Sequence, residues 1–499
     1  MGFTTIDIII VVVYMAASAA FGAYIGRNQK SANDYFLGGR SIPWYAVMFS
    51  IVATETSVLT FIGIPAVSYG GNMTFLQLVF GYVVGRGLVS VILLPAYYRG
   101  DLSTAYHFLG DRFGQRMRNT ASVTFMITRL LADGVRLFAT AIPLAIIMKS
   151  SGTFSGMSNT AFYIYAIIAV GVLTMVYTYI GGIKSVIWMD MIQWLIYMGG
   201  AILAGWMMLN KLPNGFSDVI AAAAPGNKFQ WFYSGFELSF SDFIKNSYTF
   251  LTAVAGGAIF SLASHGTDQL IVQRVLTCRN LADSKKAMIG SGFTVLLQFL
   301  VFLVIGVMLF AFYNGASIQE LGLSRSDGIF PKFIVEEMPA GISGLIVAAL
   351  FAAAMSTLSS SLSSLSSAAV LDIYLPLFGK DKTEAQQLKT SRLATIIWGV
   401  ILVGAAILFI ELEGTVVEVA LGIASYTYGG LLGTFLLGLV YAKAKETDAI
   451  VGFIVALIVM TIVIQTVQIA WPLYTVVGSL TTIVVGIISN TLRGGADAS

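Results

Sequence analysis

The stretch Phe351-Ala-Ala-Ala-Met-Ser-Thr-Leu-Ser-Ser-Ser-Leu-Ser-Ser-Leu-Ser-Ser-Ala-Ala-Val370 decides how the rest of this chain is read. It is apolar enough to cross a membrane, yet nine of the twelve residues from Ser356 to Ser367 carry a hydroxyl. In hydrocarbon an unpaired hydroxyl costs about 1–3 kcal/mol or more, so the run needs a purpose. Ser356, Ser359, Ser360, Ser363 and Ser367 recur at helical spacing and share one stripe. A stripe of neutral oxygens with no acid beside it suits a weakly held, hard monovalent cation. Close helix packing is the competing explanation, because small hydroxyl residues let membrane helices approach.

The composition supports a membrane setting. Of 499 residues 57% are hydrophobic and only 11% charged, with a mean hydropathy of +0.84; a soluble domain carries about 25% charged residues. The chain is a polytopic helical membrane protein. Its net charge of +3 does not point to nucleic acid, because the basic residues sit in short loops between apolar runs. A single cysteine, Cys278, excludes internal disulfides and a cysteine-based metal site. Two histidines, His107 and His265, leave little for histidine-rich metal or proton chemistry. The first apolar run, Ile6 to Ile25, lacks a basic lead-in and a small-residue cleavage site, so it reads as a retained span.

Runs of about 20 apolar residues fall near 5–26, 44–69, 75–98, 120–148, 160–181, 186–209, 247–273, 287–313, 339–371, 392–411, 416–440, 449–467 and 471–490, thirteen in all. With the N-terminus outside, inner loops and tail carry 19 Lys and Arg, among them Arg118 and Arg274, and outer loops carry 6. That bias predicts N-terminus out and C-terminus in, with the chain in the plasma (inner) membrane. The longest outer loops, 210–246 and 314–338, hold aromatic and charged residues. No soluble domain or low-complexity segment is read, which weakens a solute-sensor reading.

The second and seventh runs are unusual. The second contains Ala53-Thr-Glu-Thr-Ser-Val-Leu-Thr60 with Pro65 beyond it. The seventh contains Gly256-Gly257, Ser261 and Ser264-His-Gly-Thr-Asp-Gln269. Polar, helix-weakening stretches at corresponding places in two halves are the sequence sign of an inverted-repeat transporter with broken helices. The predicted layout is an extra N-terminal helix and loop (1–43), a first repeat (44–209), an outer loop (210–246), a second repeat (247–440) and two C-terminal helices with a tail (441–499).

Few residues offer chemistry. Asp190 starts the sixth run, where a carboxylate costs about 2.5–3.5 kcal/mol at mid-membrane and is usually functional. It either joins the hydroxyl stripe around a cation or caps a helix near Lys184. Glu55, in the weakened part of the second run, is a candidate for a cation, a proton, a solute or a structural arginine. Arg129, Asp133 and Arg136 stand at i, i+4 and i+7 on one face. One Arg–Asp pair would leave a positive charge for a solute carboxylate or Glu55; a satisfied internal network is the alternative. Gly341-Ile-Ser-Gly344 matches the short pattern around the serine of rhomboid-type intramembrane proteases. In a chain with 51 glycines four residues carry little, and neither histidine has a matching helix context. No phosphate-binding loop or dinucleotide fingerprint occurs, against an ATP-driven pump, and no enzyme is expected.

The chain resembles the sodium/solute symporter family, which includes sodium–glucose and sialic acid transporters. The resemblance runs from Asp34-Tyr-Phe-Leu-Gly-Gly-Arg40 through Tyr179-Ile-Gly-Gly-Ile-Lys-Ser-Val-Ile-Trp-Met-Asp-Met-Ile-Gln193. It continues through Asp268-Gln-Leu-Ile-Val-Gln-Arg274, Phe351-Ala-Ala-Ala-Met-Ser-Thr357 and Phe435-Leu-Leu-Gly-Leu-Val440. It implies an all-α LeuT-like core of five plus five inverted helices, with one extra helix before it and two after. It also implies one sodium site from the carbonyls of Ala53, Thr56 and Ala353 with the hydroxyls of Ser356 and Thr357; Thr56 replaces an aliphatic residue there. A second sodium site, as in sialic acid transporters, matches Asp190, Ser356, Ser359 and Ser360, so two sodium ions are expected and no organic cofactor.

For solute, the resemblance carries over Ser57, Thr60 and Phe75. The pocket's glutamine falls on Val79, with Gln77 nearby, and its arginine on Ala132, with Arg136 one turn away. The galactose-type lysine and glutamine fall on Val295 and Leu421, against a galactose-like site. Ser261, Ser264, His265, Ser425, Tyr426 and Tyr428 are candidates by helix position. The expected function is sodium-coupled import of a small polar solute (a sugar, sugar acid or other carboxylate) with a monomer as the transport unit. A proton-coupled transporter using Glu55 or Asp190, or a solute sensor on the same fold, is the alternative.

Overall fold

A computed structural model describes residues 3–100, 102–149, 154, 156–323, 325–379, 381–411, 416–467 and 469–496, excepting the side chains of 411, 416–422, 425 and 494–496. The elements that build the helical bundle are α1 (Thr5–Ile25), α2 (Trp44–Glu55), α3 (Val58–Gly70), α4 (Leu76–Leu88), α5 (Gln115–Lys149) and α6 (Asn159–Lys211). They continue as α7 (Phe250–Gly266), α8 (Gln269–Val275), α9 (Leu281–Phe312), α10 (Ile342–Ser367), α11 (Glu384–Leu408), α12 (Val416–Val440), α13 (Glu446–Thr466) and α14 (Tyr474–Ala496). The fold is all-helical among the described residues, with a lone bridge between Ile42 and Cys278.

Ten of the described helical segments are long and apolar enough to cross a membrane, eleven with the bent pair α2–α3 counted as one span. The difference from thirteen runs has two sources. Runs 160–181 and 186–209 are two helices that meet without a loop in the 53-residue α6, about 80 Å of helix in all against a hydrocarbon core of about 30 Å. Gly182 interrupts it at φ 51°, ψ −152°, a conformation that a side chain disfavours. In the run 416–440 the side chains of 416–422 and 425 lie outside the described residues, and Tyr426–Val440 counts only as a shorter apolar helix.

Both weakened stretches are broken helices. The axis turns by 67° between α2 and α3, where Thr56 and Ser57 are extended at ψ 103° and ψ 172°. Thr267 and Asp268 separate α7 from α8, and the Asp268 side chain caps α8 by accepting from Leu270 N–H. The serine helix is central: 89% of its apolar window lies buried, against 28% for α1 and 33% for α13 and α14. It packs on α6, α5, α1 and α2.

Gly341-Ile-Ser-Gly344 has a structural explanation. Asp7 of α1 accepts from Gly341 N–H (2.7 Å), Gly344 N–H (2.7 Å) and Ser343 Oγ (2.9 Å). The carboxylate thus caps the serine helix from another helix, and Ser343 is spent on that cap. Asp7→Ala is expected to lower stability by about 1–3 kcal/mol, read as a drop in the thermal midpoint of detergent-solubilised protein. An unchanged midpoint would mean that water caps α10 equally well.

Two arginines counted as inner-loop residues are buried within helices. Arg118 lies in α5, buried, and donates through Nε to Asp372 Oδ1 at 2.9 Å. Arg274 lies in the last turn of α8 and has no exposure.

Candidate functional site

The α2–α3 break faces the serine helix. A broken helix leaves its last carbonyls without intrahelical partners, and Ala53 and Thr56 stand at that end of α2. Thr56 N–H still reaches Val52 O at 3.0 Å. The Thr56 hydroxyl is turned elsewhere: it donates to Val52 O (2.8 Å) and accepts from Gln298 Nε2 (2.5 Å). Across from them, Thr357 Oγ1 donates to Ala353 O (3.1 Å) and Ser356 Oγ donates to Asp190 Oδ1 (2.7 Å). Each hydroxyl spends its proton on an acceptor and keeps lone pairs for a cation.

Asp190 is fully buried in α6. Its Oδ2 accepts from Ser50 Oγ at 2.6 Å, from Arg274 Nη2 at 3.2 Å and from Thr54 Oγ1 at 3.5 Å. Ser360 and Ser359 both donate to Ser356 O, at 2.6 and 3.1 Å, and Arg274 also donates to Ser360 Oγ. The carboxylate and the three serines are therefore one cluster, not an interfacial cap near Lys184. Arg274, Ser50 and Thr54 were not among the predicted site residues. Arg274 had a usable signal, since it ends the matched segment Asp268-Gln-Leu-Ile-Val-Gln-Arg274.

The remaining serines pack helices. Ser361 donates to Asp133 Oδ2 (2.6 Å), while Ser363 and Ser367 accept from Gln273 and Gln269 of α8, each at 3.0 Å. The stripe thus divides into an Asp190 end, which α8 reaches through Arg274, and an end held by the α8 glutamines.

The charges on α5 do not leave a surplus. Arg129 pairs with Asp268 and, at 3.5 Å, with Asp133; Arg136 lies 3.6 Å from Asp133. Asp268, contributed by the α7–α8 break, brings the cluster to two cations and two carboxylates. Tyr428 joins it, donating to Asp268 Oδ2 (2.8 Å) and accepting from Arg129 (2.6 Å). Arg136 nonetheless lines a cavity of about 10 Å³ with Ser57, Thr357 and Thr140, about one water's room. Further along α3 and α5 a cavity of about 130 Å³ is lined by Leu59, Ile62, Ala139 and Ile142 together with Arg325 and Asp327.

Glu55 ends α2 in an ion pair with Arg86 of α4. Arg86 also donates to Ser291 Oγ (2.8 Å), and His265 Nε2 lies 3.6 Å from Glu55 Oε2. His265 Nδ1 meets Ser264 Oγ at 2.9 Å, and Ser261 donates to Tyr82 O at 3.2 Å. The trio joins both breaks.

Other solute candidates scatter. Phe75 stacks on Phe299 at 5.3 Å, and Thr60 is half-buried on α3. Gln77 braces Tyr248 O (2.7 Å) and Tyr233 N–H (3.2 Å), and Val79 is packed with no exposure. Tyr426 turns to α13, its hydroxyl 2.8 Å from Thr461 Oγ1. The Ser425 side chain lies outside the described residues.

Known proteins resemble this chain over nearly its whole length. The chain is 31% identical over 485 residues to the sodium/sialic acid symporter SiaT of Proteus mirabilis, covering 96% of this chain and 93% of that one. It is 29% identical over 491 residues to the sodium/sialic acid symporter NanT of Aliivibrio fischeri, covering 98% and 93%. A solved structure of a sodium-coupled sialic acid symporter, substrate-bound and outward-open, superposes with a TM-score of 0.87 at 30% identity over 98% of each chain. A nucleobase–cation symporter, MHP1, shares the fold alone, with a TM-score of 0.57 at 14% identity over 94% of this chain and 96% of that one. The model of the sodium:solute symporter family matches residues 35–456, which take in both helix breaks and the serine helix, and the chain belongs to that family.

Proposed function

We propose that this protein imports a small polar organic solute together with two sodium ions by alternating access. The reading rests chiefly on one observation: a fully buried carboxylate, Asp190, is joined to the hydroxyls of the serine helix beside a broken helix. Sodium prefers such hard oxygen ligands. The first site would use Ala53, Thr56, Ala353, Ser356 and Thr357; the second would use Asp190, Ser356, Ser359 and Ser360. The solute would sit against Ser57, Thr60 and Arg136, reached through the cavity along α3 and α5. A carboxylate-bearing solute fits the 3.6 Å Arg136–Asp133 contact, long enough to yield to a better partner.

The reading keeps thirteen spans, with α6 crossing twice, two inverted five-helix repeats over 44–209 and 247–440, an N-terminus outside and a C-terminus in the cytoplasm. The transport unit is a monomer. Each sodium gains about 2.3 kcal/mol per 100 mV, so two supply about 4.6 kcal/mol, roughly thousandfold accumulation of a neutral solute at 1.4 kcal/mol per tenfold. An anionic solute cancels one charge and halves that term.

Thermal stability titrated with sodium against potassium at constant ionic strength tests it, because a ligand bound only by the folded state stabilises it. Sodium should stabilise the wild type selectively, and Asp190→Asn should lose much of that gain. No difference between the cations would overturn the reading in favour of proton coupling.

A further inference from the structure

We propose that Arg274 is a tethered cation that competes with sodium for the oxygens of the Asp190 site, so that ion binding there loosens α8. The inference rests on the reading of that site as a sodium site. Arg274 Nη2 donates to Asp190 Oδ2 (3.2 Å) and to Ser360 Oγ, and Nε donates to Ser50 Oγ (2.9 Å). Asp190 and Ser360 are two of the four oxygen donors assigned to the ion. Ser360 already spends its proton on Ser356 O at 2.6 Å, so the lone pairs that Arg274 meets are the ones an ion would need.

Charge makes the conflict sharper. Among the described residues Asp190 has one ion-pair partner, Arg274, and both side chains have no exposure. The pair is neutral; adding sodium puts two cations on one carboxylate where little water screens them. Asp190 Oδ1 accepts a hydrogen bond from Ser356 alone among the described contacts, so an ion can enter on that side before the guanidinium leaves. Holding the ion tightly requires Arg274 to withdraw.

Withdrawal acts on the second broken helix. Three residues clasp α8 to α10: Gln269 on Ser367, Gln273 on Ser363 and Arg274 on Ser360. Sodium releases the charged clasp and leaves the two neutral ones. A site whose competent form is only partly populated shows an affinity lowered by that fraction, so removing the competitor should tighten sodium binding.

The experiment compares sodium titrations of thermal stability for wild type, Arg274→Gln and Asp190→Asn, with potassium as control. Competition predicts that Arg274→Gln lowers the half-saturating sodium concentration at least tenfold. A merely structural arginine would lower stability and leave sodium affinity unchanged or weaker, and either result overturns the proposal. If Asp190→Asn keeps the wild-type response, the sodium-site reading itself fails. If it loses the response while Arg274→Gln gains no affinity, only the competitor role falls. Should Arg274→Gln not fold, hydrogen–deuterium exchange over Gln269–Val275 in the wild type decides: faster exchange in sodium than in potassium, absent in Asp190→Asn, is expected. Equal or slower exchange in sodium overturns the proposal.

Discussion

Replacing Arg86 by methionine is expected to lower the apparent stability of the protein by about 3–5 kcal/mol, the cost of stranding one member of a buried ion pair. Arg86 has no exposure and the Glu55 side chain only 20%, so water cannot replace the lost partner fully. Ser291, which accepts from Arg86 at 2.8 Å, loses its donor as well. The double variant Glu55→Gln with Arg86→Met removes both charges together and should recover most of the loss. Thermal or denaturant unfolding in detergent measures both. A single variant costing less than about 1 kcal/mol would show that the pair behaves as an exposed one. Uptake by the double variant then bears on Glu55: sodium-dependent transport that persists without the carboxylate excludes it as an obligatory proton or ion carrier.

Gly85→Val should have a comparable or larger effect for a steric reason. Helices α4 and α7 cross with their backbones almost touching. A Cβ at Gly85 would lie 2.3 Å from Ala258 O and 2.6 Å from Ser261 Cβ; one turn earlier, a Cβ at Gly81 would lie 2.6 Å from Val254 O. Backbone atoms cannot step aside as a flexible side chain can, so the helices must separate. Small residues four apart are the usual means of such approach in membranes. A loss of about 3 kcal/mol or more is expected, seen as poor recovery of monodisperse protein and an early thermal midpoint. Gly87, around which a Cβ would meet nothing within 4 Å, supplies the control: Gly87→Ala should change stability by no more than about 0.5–1 kcal/mol. Equal behaviour of the two variants would mean that the crossing is looser than its geometry.

Much of the site could be read locally. A helix interrupted by Thr56-Ser57 or by Thr267-Asp268 announces itself in the residues that break it, because side-chain hydroxyls and carboxylates compete with the backbone for hydrogen bonds. The Asp190–Ser356 pairing was implied by the family resemblance, whereas the residues alone left Asp190 between the hydroxyl stripe and a helix cap. The surplus charge on Arg129 and Arg136 was not a sound guide: the balancing carboxylate, Asp268, is 139 residues from Arg129. Gln77 was named for its nearness to the position that the resemblance marks, and Tyr426 by helix position; neither tells which neighbour a helix face meets.

The sequence by itself determined the membrane class, the places where two helices break and the oxygen-rich character of the serine helix. Those features follow from composition and from a 3.6-residue period, both local quantities. Tertiary structure alone decided which charges meet. Arg274 reaches Asp190 across 84 residues of chain, and Glu55 finds Arg86 on α4, 31 residues along. Burial in a water-poor interior makes every charge take the nearest partner of opposite sign, and which partner is nearest is a property of packing, which no periodicity records.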